Sequence, residues 1–203
     1  MKKILIILLF TIVGISSSCQ NKNNDKQLIK NLEGTWEGSI YLDDEIPADI
    51  QFFESTDGTT GKFVEIAYLH EYDGDFDIRY FSYACGEYTV KDGQLSLTFF
   101  PESTYAEPFD EDVFDDYVAA LWEYYQKEGR TLLWEDESEL AVAVLETFED
   151  TWAQVCEERN QSGNTFGNLT ITEDKMNLMA GDTTWEFKRA AQNWFTDYPY
   201  SGE

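Results

Sequence analysis

Two blocks of short alternating segments, residues 34–100 and 167–189, flank a stretch whose apolar residues recur at helical spacing. No other feature constrains the fold as much. In the first block "TWEGSIYL" runs into acidic residues and Pro47, and "ADIQFFES" runs into the turn-rich "TDGTTG". In "KFVEIAYLH", Val64, Ile66 and Tyr68 alternate with Phe63, Glu65, Ala67 and Leu69. Apolar residues on both sets predict a strand partly buried on both faces. "IRYFSYA" follows the turn "EYDGDFD", and Gly86 predicts a bulge or bend before "EYTV". Asp92-Gly93 can supply the positive φ angles of a tight hairpin leading into "LSLTFF". The second block, "NLTIT", "MNLMA" and "TWEFKR", has turns short enough to make its strands sequential antiparallel neighbours. A long meander with one apolar face has exposed edges, and closing into a barrel removes them. The expected fold is therefore mainly β, an antiparallel meander barrel of about eight strands with a two-helix insertion.

The insertion spans about residues 101–162. In "FDEDVFDDYVAALWEYYQKEG", Phe114, Tyr117, Val118, Leu121, Tyr124 and Tyr125 fall on helical spacing, with acidic residues at the start and Lys127 and Gly129 at the end. A second helix is expected from about Ser138, as N-cap, to Arg159, with Leu145, Phe148, Trp152 and Val155 as its apolar stripe. The barrel domain is placed at 32–192, followed by a tail at 193–203 whose Trp194 and Phe195 could pack back onto the domain.

Ahead of the domain, "MKK" and the apolar run Ile4 to Ile15 have the length of a signal-peptide core and fall short of a membrane span. "SSSCQ" follows. Small residues directly before Cys19 resemble the lipobox of bacterial lipoproteins, although Ser16 stands where that family prefers Leu. The resemblance implies a signal peptide over 1–18, cleavage before Cys19, and acylation (palmitate among the chains) that anchors the protein to a membrane, in all expectation the outer membrane of a cell envelope. An ordinary secretory peptide cut near Ser18 is the alternative. Residues 19–31 are polar enough to read as a tether.

The chain of 203 residues has 40 acidic side chains against 14 Lys and Arg, a formal net charge of −26. Such a surface repels nucleic acid and favours cationic partners. Aromatics make up 16% of the chain, enough for a sizeable core. Beyond Cys19 only Cys85 and Cys156 remain, a candidate disulfide between a strand and the insertion. With His70 as the only histidine and no Cys-x-x-Cys spacing, neither a zinc site nor a His-based triad is expected. "DGDFD" begins like a calcium loop, but Ile78 and Ala84 stand where Gly and Glu are needed. The clusters Asp43–Glu45 and Asp110–Asp116 offer carboxylate pairs for a glycoside hydrolase, but so many acidic residues produce pairs by chance. No metal, cofactor or catalytic residue is assigned, and the protein is expected to be non-enzymatic.

"GTW", Gly34-Thr35-Trp36, at the start of the first strand resembles the Gly-x-Trp signature of lipocalins and of lipocalin-like lipoproteins of Bacteroidetes type. In that family the Trp plugs the closed end of the barrel and a basic residue near the last strand lies across it. The resemblance implies that Trp36 and Arg189 form such a barrel-closing pair. It implies a small apolar or amphipathic ligand inside the barrel. The aromatics Tyr68, Tyr80, Tyr117, Trp122, Tyr125 and Trp152, read from the sequence alone, either pack on one another and on the barrel or contact a ligand or a protein partner. The alternative is an acidic envelope lipoprotein that docks a basic protein partner through its insertion and has no ligand cavity.

Overall fold

A computed structural model describes residues 24–42, 44–55, 57–128 and 133–202. The expected signal peptide, Cys19 and the start of the expected tether lie outside them. The chain forms β1 (Gly34–Tyr41), β2 (Glu45–Phe52), β3 (Thr60–Asp73), β4 (Phe76–Lys91), β5 (Gln94–Phe99), β6 (Tyr105–Pro108), β7 (Thr165–Ile171), β8 (Lys175–Ala180) and β9 (Thr183–Arg189). Three helices accompany them: α1 over residues 24–32, α2 (Glu111–Lys127) and α3 (Glu137–Ser162).

Eight strands close a barrel in the order β3-β2-β1-β9-β8-β7-β5-β4, all antiparallel, with β4 pairing back onto β3. The seam is β1 against β9, with Trp36 opposite Arg189. Alternation fills the inside: Trp36 and Ile40, Ile50 and Phe52, Phe63 and Ala67, Tyr88 and Val90, Leu95 to Phe99, Leu178 and Phe187 all join one buried cluster. The Asp92-Gly93 turn has φ of 54° and 75°, the positive pair that a two-residue hairpin needs.

The expected bulge at Gly86 is absent. β4 runs unbroken through it, paired to Phe63 on one side and Phe99 on the other. Glycine is needed there for close approach, because a Cβ would fall 2.3 Å from the Thr98 carbonyl and 2.6 Å from the Phe63 ring.

The ninth strand, β6, lies outside the barrel and belongs to a part of the insertion expected to be helix and loop. β4 is 16 residues long; its Gly86–Lys91 half pairs with β5, and Tyr80–Tyr83 pairs with β6. Beyond the barrel the β3–β4 hairpin continues as a ribbon. Ile78 on it packs with Phe114 and Val118 of α2 and Leu140 of α3, forming a second small core.

Helix α2 starts where its acidic leader predicts, with Asp110 as N-cap accepting from the Val113 N–H at 3.2 Å. The N-cap of α3 is Asp136, not Ser138. Its carboxylate takes the N–H groups of Ser138 and Glu139 at 3.0 and 3.1 Å, satisfying donors that Ser138 would have left open.

The expected tether also needs correction. Residues 24–32 are helical, and Leu28, Ile29 and Leu32 pack into or against the barrel core. These three apolar residues share one face of a helix, so a composition that is polar on average still supplies a barrel plug.

Candidate functional site

At one end of the barrel the indole of Trp36 is fully buried and donates from Nε1 to the Leu32 carbonyl at 2.7 Å, tying the plug helix to the first strand. The Arg189 guanidinium lies 4.0 Å from the Trp36 ring centroid. Its nitrogens donate to the carbonyls of Asn31, Glu33 and Glu173 at 2.7, 2.7 and 2.9 Å. Arg189 thus carries the cationic cover and also terminates α1. The Asp25 carboxylate completes the closure by accepting from the N–H groups of Asp92 and Gly93.

The other end is closed by α3, and here the interior departs most from an empty ligand barrel. Trp152 and Cys156 belong to the barrel core cluster. One turn further on, Arg159 reaches Glu65, the one buried charged residue of β3. The pair is 6% and 0% exposed, its Nη2–Oε2 distance is 3.0 Å, and Nη1 makes a second bond to Oε1. Burial opposes the charge on Arg159, but the charge and hydrogen bonds of Glu65 outweigh it and hold the guanidinium above its ordinary pKa. Its plane also lies 4.3 Å from the Phe99 centroid. Asn160 bonds the Phe99 backbone in both directions, fixing the register of α3 against β5. The barrel interior is thus filled by strand side chains and closed by Trp152, Cys156 and Arg159 of α3.

The six aromatics read as core packing or as ligand or partner contacts line no common cavity, and most of them pack within the protein. Trp152 is in the barrel core; Tyr80 stacks on Phe148 at 4.1 Å; Tyr117, Trp122 and Tyr125 pack around the small α2–α3 core. Tyr68 faces the other side of the sheet and donates to Asp49 at 2.9 Å.

The candidate disulfide does not form. Cys85 and Cys156 are free and buried, on opposite sides of the barrel wall. Alternation along β4 turns Ala84 into the barrel core and Cys85 outward, to join Val64 and Ile66 under the C-terminal tail. Cys156 points inward from α3. Burial and the Glu65 carboxylate push its thiol up to about 12, with Arg159 opposing, so it is inert at neutral pH.

The tail itself builds the site that the sequence did not reveal. Gln51, outward-facing on β2, accepts from the Phe195 N–H at 2.9 Å and donates to the Phe195 carbonyl at 2.7 Å. Asp49 accepts from the Trp194 indole at 2.7 Å, and the Tyr198 hydroxyl donates to the Gly86 carbonyl. Pinned in this way, the tail leaves a groove of about 450 Å³ between itself, the outer face of β3–β4 and β6. Tyr83, Tyr105, Trp194, Phe195 and Tyr200 line it, with Cys85 at its base. Glu107 is the one charged group in the lining, and it accepts a short hydrogen bond from the Tyr83 hydroxyl. The volume lies within the usual range for small-molecule sites, roughly 300–1,000 Å³.

The one histidine, His70, is exposed beside Asp77. Among the described residues no group of three or more His, Cys, Asp or Glu side chains is arranged to hold a metal, and no helix is long and apolar enough to cross a membrane. No family model, curated protein or solved structure matches the chain.

Proposed function

We propose that this protein is a non-enzymatic, lipid-anchored binding protein of the cell envelope, and that it takes a small apolar or amphipathic molecule on the outer wall of a lipocalin-like barrel. The observation that carries this reading is the aromatic groove under the tail. It is concave, mostly apolar and held open by hydrogen bonds on both sides, while the barrel interior is packed with Trp152, Cys156 and the Glu65–Arg159 pair. The barrel then acts as a rigid support, and the attached segments supply specificity.

Native mass spectrometry of the protein taken from its own envelope tests the reading. A co-purifying small molecule that is lost on replacing Trp194 by Ala is the expected outcome; a molecule retained by that variant rules the groove out. The anchor is tested separately. Cys19→Ala is expected to move the protein from the membrane fraction to the soluble fraction, and unchanged membrane association would place the anchor elsewhere.

A second reading, docking of a basic protein through the insertion, draws on the exposure of Val113, Tyr124 and Val142 among the acidic side chains of α2 and α3. Cross-linking from these two helices to a basic neighbour would favour it.

A further inference from the structure

The groove under the tail has a chemistry more specific than an apolar slot. Tyr105 and Trp194 are 54% and 47% exposed although both are large and aromatic, and both line the groove, one from β6 and one from the tail. Around them the rings are held in place: Tyr83 packs 6.0 Å from Tyr105 and 6.1 Å from Phe195, and Phe81 packs behind Trp194 at 6.3 Å. Ring faces carry negative potential and attract a cation within about 6 Å of the centroid. The half-buried Glu107 carboxylate adds a negative charge beside these rings, and its partial burial makes that charge count for more than at a fully open surface.

The lining contains no Lys or Arg. Lys62, which reaches the same tail, lies over the outer ring of Tyr198 at 4.6 Å. Burial and the hydrogen bond to Glu107 push the Tyr83 pKa up, so at neutral pH the Tyr83 hydroxyl remains a donor to the Glu107 carboxylate. The whole chain adds a negative field, at −26, that concentrates cations at its surface. Most polar side-chain atoms of the lining are already bonded within the protein, Tyr83 to Glu107, Ser103 to the Phe100 carbonyl, Trp194 to Asp49 and Tyr200 to Glu102, which argues against a ligand that needs many hydrogen bonds.

We infer that the groove between β6 and the tail is a site for an organic cation, an alkylammonium or similar group carried on an apolar or aromatic body, with Trp194 and Tyr105 embracing the cation and Glu107 supplying the counter-charge. This rests on the outer-wall groove being the binding site.

The test uses benzyltrimethylammonium, its neutral carbon isostere neopentylbenzene and the anion benzenesulfonate. Each is titrated into the folded protein while tryptophan fluorescence and heat are followed. The cation should bind at least about tenfold more tightly than the neutral isostere, and the anion should not bind. Glu107→Gln should weaken the cation by about tenfold and leave the neutral compound unchanged, and Trp194→Ala should abolish both, with near-ultraviolet circular dichroism confirming that each variant is folded. Equal affinity for cation and isostere, or preference for the anion, would overturn the assignment of ligand class while leaving the groove as a binding site. Absence of binding by the two ions at millimolar concentration and by the neutral compound up to its solubility limit would overturn the groove reading as well.

Discussion

Glu65 is the residue on which the interior turns. A carboxylate in the middle of "FVEIA" is costly to bury, and its position inside the barrel is tolerated because Arg159 arrives from α3 with two hydrogen bonds. Glu65→Gln would leave a buried guanidinium without its counter-charge and is expected to destabilise the fold by about 3–5 kcal/mol, measured as a shift in the urea midpoint. The double replacement Glu65→Leu with Arg159→Met should recover most of that loss, because two apolar groups of similar volume need no partners; a double variant as unstable as the single one would mean that the pair itself, not its desolvation, holds α3 in place. The sequence did carry a signal for this pair. A lone charge in an apolar strand, in a chain with few cations, asks for a buried partner. Which of the scarce cations answers it depends on the path of α3.

At the scale of elements, the C-terminal tail behaves as a tenth layer-forming segment without being a strand. Its aromatics cover Val64, Ile66 and Cys85, which alternation leaves facing outward and which would otherwise form an exposed apolar patch. Removing residues 193–203 from protein that also lacks residues 1–19 is therefore expected to make one of two thiols react with a disulfide reagent under native conditions. That thiol is Cys85, now 4% exposed, while Cys156, fully buried in the barrel, should stay silent until unfolding. Two silent thiols after truncation would show that another segment covers this face. Both-face burial of β3 was legible from its two apolar sets, and Trp194 and Phe195 marked a tail able to pack back, but the face it covers was not legible. Residues 193–203 have no periodicity, and their value lies in Gln51 and Asp49, polar side chains that look like ordinary outward-facing strand residues until the tail is laid across them.

At the scale of the molecule, buried tyrosines couple the fold to alkaline pH. Burial pushes Tyr80 up to about 12, and burial together with the bond to Asp73 pushes Tyr117 up to about 12. Burial raises Tyr68, Tyr83, Tyr88 and Tyr198 as well. A group whose folded pKa is raised contributes stability that is fully present below its unfolded value, 10.0 for Tyr, and is lost as pH rises through the folded value. Stability should therefore be unaffected by these tyrosines below pH 10 and fall progressively above it, with unfolding by circular dichroism coinciding with phenolate absorbance. Ionisation of most tyrosines near pH 10 with the fold intact would contradict the packing described. The closed barrel, the core on its inner wall and the helical cover at both ends belong to this scale too, since no segment alone buries its apolar face.

Local choices follow from neighbouring residues alone: period-two segments, the Asp92-Gly93 hairpin, the acidic start of α2, and a meander whose edges favour closure. These follow from backbone sterics and side-chain alternation within a few residues. Only the tertiary structure decided what fills and covers the barrel. Whether Cys85 meets Cys156, whether residues 24–32 hang free or plug an end, and whether a ligand could enter the interior all depend on which segment wins a buried surface. That competition is settled by burial and polar pairing between residues far apart in the chain, such as Glu65 with Arg159 and Gln51 with Phe195, and such contacts leave no local pattern to read.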